Sequence, residues 1–449
     1  MRHARIAAWC AVVLTVATVG AAQTDSAAGG MFRLDLALAD VPANAGRGAY
    51  WPAMSEARSF TASFCELMNS AILLGTSGIR NPFAQTGVAM GLEACALLFD
   101  VYVPFGVTWM HEEYHRTVLS NRGISSYDGV YDFNLDATAV SVYHVSDEAL
   151  ENLKAEHPEE LVRCEEAGYE AQVDLAGALL RDGMMHGARF IEPAALYSLF
   201  SISFYLWFNT TSYADEETRE FNAKETTVDQ RDIVGWDFSA WTYDLHRPNE
   251  PYATRGIHSG GTGINRYILW SQLTSSEQSY LRFQAALSLV NFIRPQLYGV
   301  KPWQCAFGGG QCALTGGLTH YLTPFGYMIG AYGMARAPGA GIVAGVNMYA
   351  NGRLALPGID VSLVDVPVSF ASPGLFWSPR LSLWLQPSDQ RFYGKTAEAG
   401  GLTSQRLDIR LSRFASLYAE LEAKTKGWAA GTVDLGAALS LRAGTVFAF

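Results

Sequence analysis

Two histidines four residues apart enclose a glutamate in the run His111-Glu112-Glu113-Tyr114-His115. On an α-helix, residues four apart stand one above the other. Both imidazoles therefore reach one cation. Glu112 lies beside them, a base able to take a proton from water held by that cation. The chemistry this spacing supports is zinc-assisted hydrolysis. Phe105, Val107, Trp109 and Met110 precede the motif, and Val118 and Leu119 follow it. Such flanks predict a buried helix, where two imidazoles need a partner.

A catalytic zinc site needs a third protein ligand and an open position. The metzincin arrangement would place Gly at 118 and His at 121, but the chain has Val118 and Asn121. Downstream, Glu170 and Asp174 stand four apart, on one helix face, in the run Glu166-Ala167-Gly168-Tyr169-Glu170-Ala171-Gln172-Val173-Asp174. Together with the H-E-x-x-H run, this E-x-x-x-D pair resembles the gluzincin class of zinc metallopeptidases. The resemblance covers these two short stretches. It implies Glu170 as third zinc ligand and Asp174 as the acid that orients a ligating histidine. Glu165 and Glu166 are rivals for the ligand. Asp182, in Leu180-Arg181-Asp182-Gly183, is an alternative ligand of the kind seen in intramembrane site-two proteases. The Asn and Pro of that family are missing here; of the long apolar helices it requires, Glu93 and Asp100 interrupt the run before the motif and Glu192 opens the next one. The expected reaction is hydrolysis of a polypeptide by zinc-activated water with Glu112 as general base. Tyr169, His186 and His258 are candidates for oxyanion stabilisation by residue type alone.

The elements that must position these groups read as mainly helical up to about residue 312, after an irregular entry segment over residues 23 to about 55. Residues 57–120 carry apolar side chains at helical spacing, as in Phe64, Leu67, Ala71 and Leu74. Ser146-Asp147-Glu148 is a helix start with acids in the first turn, and helices are expected over 145–190. Residues 190–208 form a strongly apolar aromatic segment, 209–263 read as loop-rich, and 265–292 as amphipathic helix. The acidic runs 216–220 and 229–232 read as solvated charge. Ser259-Gly260-Gly261-Thr262-Gly263 lacks the lysine of a phosphate loop.

Near residue 313 the period changes to two. Ile342, Ala344, Val346 and Met348 alternate with Gly341, Val343, Gly345 and Asn347; Leu417, Ala419 and Leu421 alternate with Tyr418, Glu420 and Glu422. In a strand, alternate side chains face opposite sides. Strands of about ten residues with one apolar face are the signature of an outer-membrane barrel, with a soluble sandwich as the alternative. Glu420, Glu422, Lys424, Asp408 and Arg410 would then be lumen charges pairing with one another. The end, Arg442-Ala443-Gly444-Thr445-Val446-Phe447-Ala448-Phe449, resembles the terminal signal read by the bacterial barrel assembly machinery. The expected fold is α+β: a mainly helical zincin-like domain over 23–312, then a small antiparallel barrel of about eight strands over 313–449, anchored in outer-membrane lipid. The contrasting reading is a non-enzymatic barrel with a helical plug.

Arg2, His3 and Arg5 precede a short apolar run from Ile6 to Val19 and the small residues Gly20-Ala21-Ala22, which predicts a secretory signal over 1–22. The chain of 449 residues is 17% charged and 12% aromatic with 43 glycines, a composition unlike that of a disordered chain. A net charge of −11 without a basic stripe argues against nucleic acid. Beyond the leader, five cysteines remain: Cys65, Cys95, Cys164, Cys305 and Cys312. In an oxidising envelope Cys305 and Cys312, which flank a Gly-rich loop, are placed to close it.

Overall fold

The computed structural model describes residues 33–448 apart from 47, 101–102, 134–139, 188–192, 308–309 and 369–373. The expected leader over 1–22 lies outside the described residues. Nine α-helices are described: α1 (Met54–Thr76), α2 (Pro82–Leu98), α3 (Val107–Asn121), α4 (Asp147–Glu156), α5 (Pro158–His186), α6 (Pro193–Phe208), α7 (Ser212–Lys224), α8 (Asp237–His246) and α9 (Ser275–Ser288). Ser146 starts α4 as expected, its hydroxyl accepting from Ala149 N at 3.2 Å. Helices α7 and α8 fall within the stretch that composition alone reads as loop.

The strands are β1 (Arg33–Val41), the small pair β2 (Tyr127–Asp128) and β3 (Val142–Tyr143), then β4 (Trp303–Phe307), β5 (Gly310–Thr323), β6 (Gly326–Ala337), β7 (Ala340–Ala350), β8 (Ala355–Val364), β9 (Val366–Pro367), β10 (Leu375–Pro387), β11 (Ala397–Arg410), β12 (Ala415–Lys424) and β13 (Ala438–Ala448). All but β2 and β3 form one antiparallel sheet of 11 strands, in the order β1-β13-β12-β11-β10-β8-β7-β6-β5-β4, with β9 against β10.

This corrects the expectation of a closed, eight-stranded barrel. The sheet is open, and two of its strands, β1 and β4, come from before residue 313. The edge of β1 and the part of β5 that β4 leaves uncovered are bonded to helical segments instead of to each other. The free edge of β1 is bonded to two serines one turn apart on α1: Ala37 N donates to Ser59 Oγ at 2.9 Å and Asp35 N to Ser63 Oγ at 3.0 Å. The part of β5 beyond β4 is bonded to residues 291–294. Leu318 N donates to Ile293 O at 3.0 Å and His320 N to Asn291 Oδ1 at 2.9 Å. Buried or paired backbone groups must find partners, and here side chains and turns supply them.

One apolar core joins the helices to the sheet, running from Met54 through Trp109, Tyr169 and Trp241 to Tyr321, Trp384 and Trp428. The sheet's other face carries its apolar side chains outward: Val346, Ile359, Leu381, Ile409, Leu417 and Leu439 are exposed. Its charges point inward. Arg442 holds Asp40 at 2.9 Å and Glu422 at 2.8 Å, and Arg406 holds Asp35 at 2.8 Å and Asp408 at 2.9 Å. Glu420, Glu422, Lys424 and Asp408 thus face inward as expected, but Arg442 and Arg406 neutralise the acids among them. Arg410 is exposed over the Phe376 ring. Among the described residues no helix is long and apolar enough to cross a membrane alone.

Candidate metal centre

Helix α3 begins where the chain supplies its own cap. The Asp100 carboxylate accepts from Val107 N at 2.6 Å and Thr108 N at 2.8 Å, satisfying amides that a helix start leaves open. Gly106 is required beside it, because a Cβ there would fall 1.9 Å from Asp100 Oδ1. From this start α3 runs through the motif with both faces buried. His111 and His115 are 8% and 2% exposed, and their rings lie 4.9 Å apart.

Helix α5 packs against α3 and fixes the lower imidazole. His115 Nδ1 lies 2.6 Å from Cys164 O. A carbonyl only accepts, so Nδ1 carries the proton and Nε2 presents its lone pair. The contact is reciprocal, with Cys164 Sγ donating to His115 O at 3.6 Å.

The third group at the two Nε2 atoms is Asp237, the first residue of α8. Its Oδ2 lies 3.0 Å from His111 Nε2 and 3.4 Å from His115 Nε2. One donor atom from each of the three residues falls within 4.8 Å of the others, the one such metal-competent group among the described residues. Tyr205 of α6 holds the aspartate. Its hydroxyl donates to Oδ1 at 3.2 Å and accepts from Asp237 N at 3.2 Å. Burial raises the Asp237 carboxyl, but the imidazoles of His115 and His111 more than offset this and hold it below the ordinary carboxylate range. Burial lowers His111, whereas for His115 the nearby Asp237 outweighs burial and raises it.

Gly168 of α5 keeps the space in front of these donors open. A Cβ there would stand 2.3 Å from His111 Nε2 and 2.6 Å from His115 Nε2, close to where zinc–nitrogen bonds of about 2.0–2.1 Å would put a metal. Two imidazoles and a carboxylate around such a cradle fit a zinc ion.

Of the two adjacent acids in the motif, Glu113 is committed elsewhere. It accepts from Arg116 Nε at 2.5 Å and Tyr131 OH at 3.0 Å. Glu112 is 8% exposed, and its pKa is raised well above the usual value by burial and then by Asp128, Asp232 and Asp237. Asp232 belongs to a run that composition reads as solvated, yet burial and Glu225 push its carboxyl up to about 8.

The other expected site residues lie apart from this centre. Glu170 accepts from Arg163 Nη2 at 2.9 Å, Trp428 Nε1 at 3.0 Å and Gly431 N at 2.8 Å. Asp174 binds Arg58 Nη1 at 2.9 Å and Tyr114 OH at 3.2 Å. Helical phase explains both. At about 100° per residue, the turn that aims Gly168 at the histidines rotates positions 170 and 174 by roughly 200° and 240° away from them. Asp182 is about 21 Å further along α5 from Gly168, at 1.5 Å per residue, and binds His186 Nδ1 at 2.8 Å. Tyr169 OH binds His320 Nδ1 at 2.8 Å, and His258 Nδ1 accepts from Gly260 N at 3.0 Å.

Asp237 escapes sequence reasoning because it lies 126 positions from His111. The local signal is an acid directly after Gly235-Trp236 and before the apolar run of α8. Two partly open clefts of about 230 and 220 Å³ lie away from the centre, between the C-terminal half of α5 and the sheet, with Arg58, Arg181 and Arg380 in the lining of both. Comparison with family models, curated proteins and solved structures returns no match for this chain.

Proposed function

We propose that this chain is an exported zinc metallopeptidase of the outer membrane, in which His111, His115 and Asp237 hold the metal and Glu112 is the general base. One observation carries the reading: the two histidines of the H-E-x-x-H run meet a buried aspartate around a space that a side chain at position 168 would fill and Gly168 leaves open. A zinc ion there supplies Lewis acidity to a peptide carbonyl and to water. The protein's own part is position and proton transfer. Cys164 O fixes the His115 tautomer, and Tyr205 fixes Asp237. Glu112 takes a proton at its carboxylate and returns it to the leaving amine. Burial favours its protonated form, and a nearby dication would favour the carboxylate that accepts the proton.

The outer-membrane part of the proposal draws on the sheet. Strands of ten or more residues carry leucine and isoleucine outward and paired charges inward, the reverse of a water-soluble sheet.

The test is zinc per chain in detergent-purified protein, together with hydrolysis of a quenched fluorogenic peptide library. Wild type should hold about one zinc, lost in His115→Ala and Asp237→Ala. Glu112→Gln should keep the metal and lose hydrolysis. Wild type that takes up no zinc after reconstitution overturns the proposal. Zinc without hydrolysis of any peptide leaves the structural-metal alternative, a barrel-like wall around a helical plug.

A further inference from the structure

The sheet leaves one sector of its wall to helices. Helix α1 bonds the edge of β1, α2 packs on α1 and on α6, and α6 meets the turns Leu289–Phe292 and Pro295–Tyr298 that lead to the edge of β5. Strands and helices together complete a circuit.

Helices α1 and α2 of this sector are inverted relative to helices in water, and α6 exposes Phe204 and Trp207. On α2 and its C-terminal end, Phe83, Leu92 and Phe99 are 69%, 49% and 65% exposed, while Glu93 is 3% exposed. On α1, Leu74 is 77% exposed and Glu66 is 4% exposed. A helix bordering water turns its carboxylates out and its leucines in. The outward sheet face is inverted in the same sense, so the apolar surface continues from strands to helices.

We infer that α1, α2 and α6 form the remaining lipid-facing sector of the wall, with their outward side chains in the acyl chains of the bilayer. The inference rests on the membrane reading of the sheet. The 17 residues of α2 rise about 25 Å at 1.5 Å each, close to the ~25 Å apolar band of outer-membrane barrels. Only one face of each helix needs to be apolar, because the other packs on protein. That accounts for helices that touch lipid while none is apolar enough to cross alone.

Cys95 is exposed on α2, one turn from Leu92, and serves as a probe. In a Cys305→Ser, Cys312→Ser background it is labelled with an environment-sensitive fluorophore. Two further variants carry Cys95→Ser with either Leu417→Cys on the outward face of β12 or Glu216→Cys on α7. All are reconstituted in vesicles containing brominated acyl chains. The label at 95 should lose most of its emission to brominated lipid and resist aqueous iodide, as should the label at 417, with the reverse at 216. Quenching by lipid at 417 but by iodide at 95 overturns the helical sector and leaves the membrane reading of the sheet standing. Iodide quenching at both positions overturns the membrane reading itself. Protection of 95 from both quenchers means that protein, such as a second copy, covers α2, and also overturns the inference.

Discussion

Replacing Gly168 by alanine isolates the metal space from everything else the fold does. The added methyl carbon would lie 2.3 Å from His111 Nε2 and 2.6 Å from His115 Nε2. Carbon–nitrogen contact distances exceed 3 Å, so the methyl and a metal cannot share the space, and the imidazoles must retreat by nearly 1 Å even without metal. Substitutions that only touch groups around a metal ligand weaken binding about 10–100-fold. This one acts on the metal position itself, so the expected loss is more than about 100-fold, or roughly 2.7 kcal/mol of binding free energy. The metal-free protein should change far less. Overpacking costs about 1–3 kcal/mol, and alanine in a helix interior regains about 1 kcal/mol over glycine. Gly177, on the same helix with nothing within 4 Å of its would-be Cβ, is the control, and Gly177→Ala should leave metal affinity unchanged. The assay is competitive zinc titration against a chromogenic chelator, with thermal unfolding in chelator and in zinc. Wild type and Gly177→Ala should gain stability from zinc; Gly168→Ala should not. A folded Gly168→Ala protein that binds zinc with affinity near wild type would refute the assignment of this space.

Three further outcomes separate the roles of neighbouring groups. Tyr205→Phe removes the hydroxyl that holds Asp237 and should weaken zinc about 10–100-fold with an unchanged circular dichroism spectrum; unchanged zinc affinity would remove Tyr205 from the centre. Glu170→Gln leaves Arg163, buried against Glu166 and Glu170, with one carboxylate. Breaking such a pair costs about 3–5 kcal/mol, with the low end expected because Glu166 remains. Zinc stoichiometry in the folded variant should stay at wild type, and its loss there would return Glu170 to the ligand set. Glu225 accepts from Tyr267 OH at 2.8 Å, and burial outweighs its hydrogen bonds to push its carboxyl from 4.5 up to about 7. Between those values the native state keeps a proton that the unfolded chain has released. This contribution to stability is therefore present below pH 4.5, falls as pH rises through 7, and is flat beyond. Glu225→Gln should flatten that part of a denaturation-versus-pH profile, and an unaltered slope would contradict the shifted pKa.

The parts of this fold that were legible from sequence are those fixed by local period. Four-residue spacing put His111 and His115 on one face, Ser146 marked its helix, and alternation showed strands such as β7 and β12. The missing parts depend on approach in three dimensions. Asp237 reaches the histidines only because α8 packs on α5. The pair Glu170 and Asp174 satisfies a one-helix rule, but which face of α5 meets α3 is decided by Gly168, the position where two imidazoles leave no room for a side chain. Strand number was missed for a related reason. β1 is a nine-residue strand in a segment that reads as irregular, and it is recruited by pairing with β13 at the other end of the chain. The open edge of β1 is bonded by serines 59 and 63 on α1, whose role no period reveals. Arg442, read only as part of a terminal signal, is the cation that gathers Asp40, Glu420 and Glu422 inside the wall. Gly444 in the same signal has a local cause as well, since a Cβ there would fall 2.1 Å from Leu36 O.

The edge strand β4 carries a last consequence. Cys305 and Cys312, both free thiols in the structure, are direct partners in the antiparallel register of β4 and β5. Opposite residues in such a ladder project to the same face with Cα atoms about 4.5–5.5 Å apart, within the span a disulfide bridges. Beyond β4 the sheet has no further strand among the described residues, so a strand of five residues is held from one side only. Oxidation joins the two sulfurs and passes two electrons and two protons to a disulfide-type oxidant, the class of reagent the chain would meet if exported as proposed. Closing a loop of about eight residues restricts the unfolded chain by roughly 2.5 kcal/mol in the chain-entropy account. The expected result is a folded protein whose Cys305 and Cys312 resist alkylation until reduced, and whose β4 amides exchange faster after reduction. If both thiols are alkylated in the oxidised, folded protein, the register of β4 on β5 is wrong or the strand is not held there, and the short edge of the wall must be secured by other contacts.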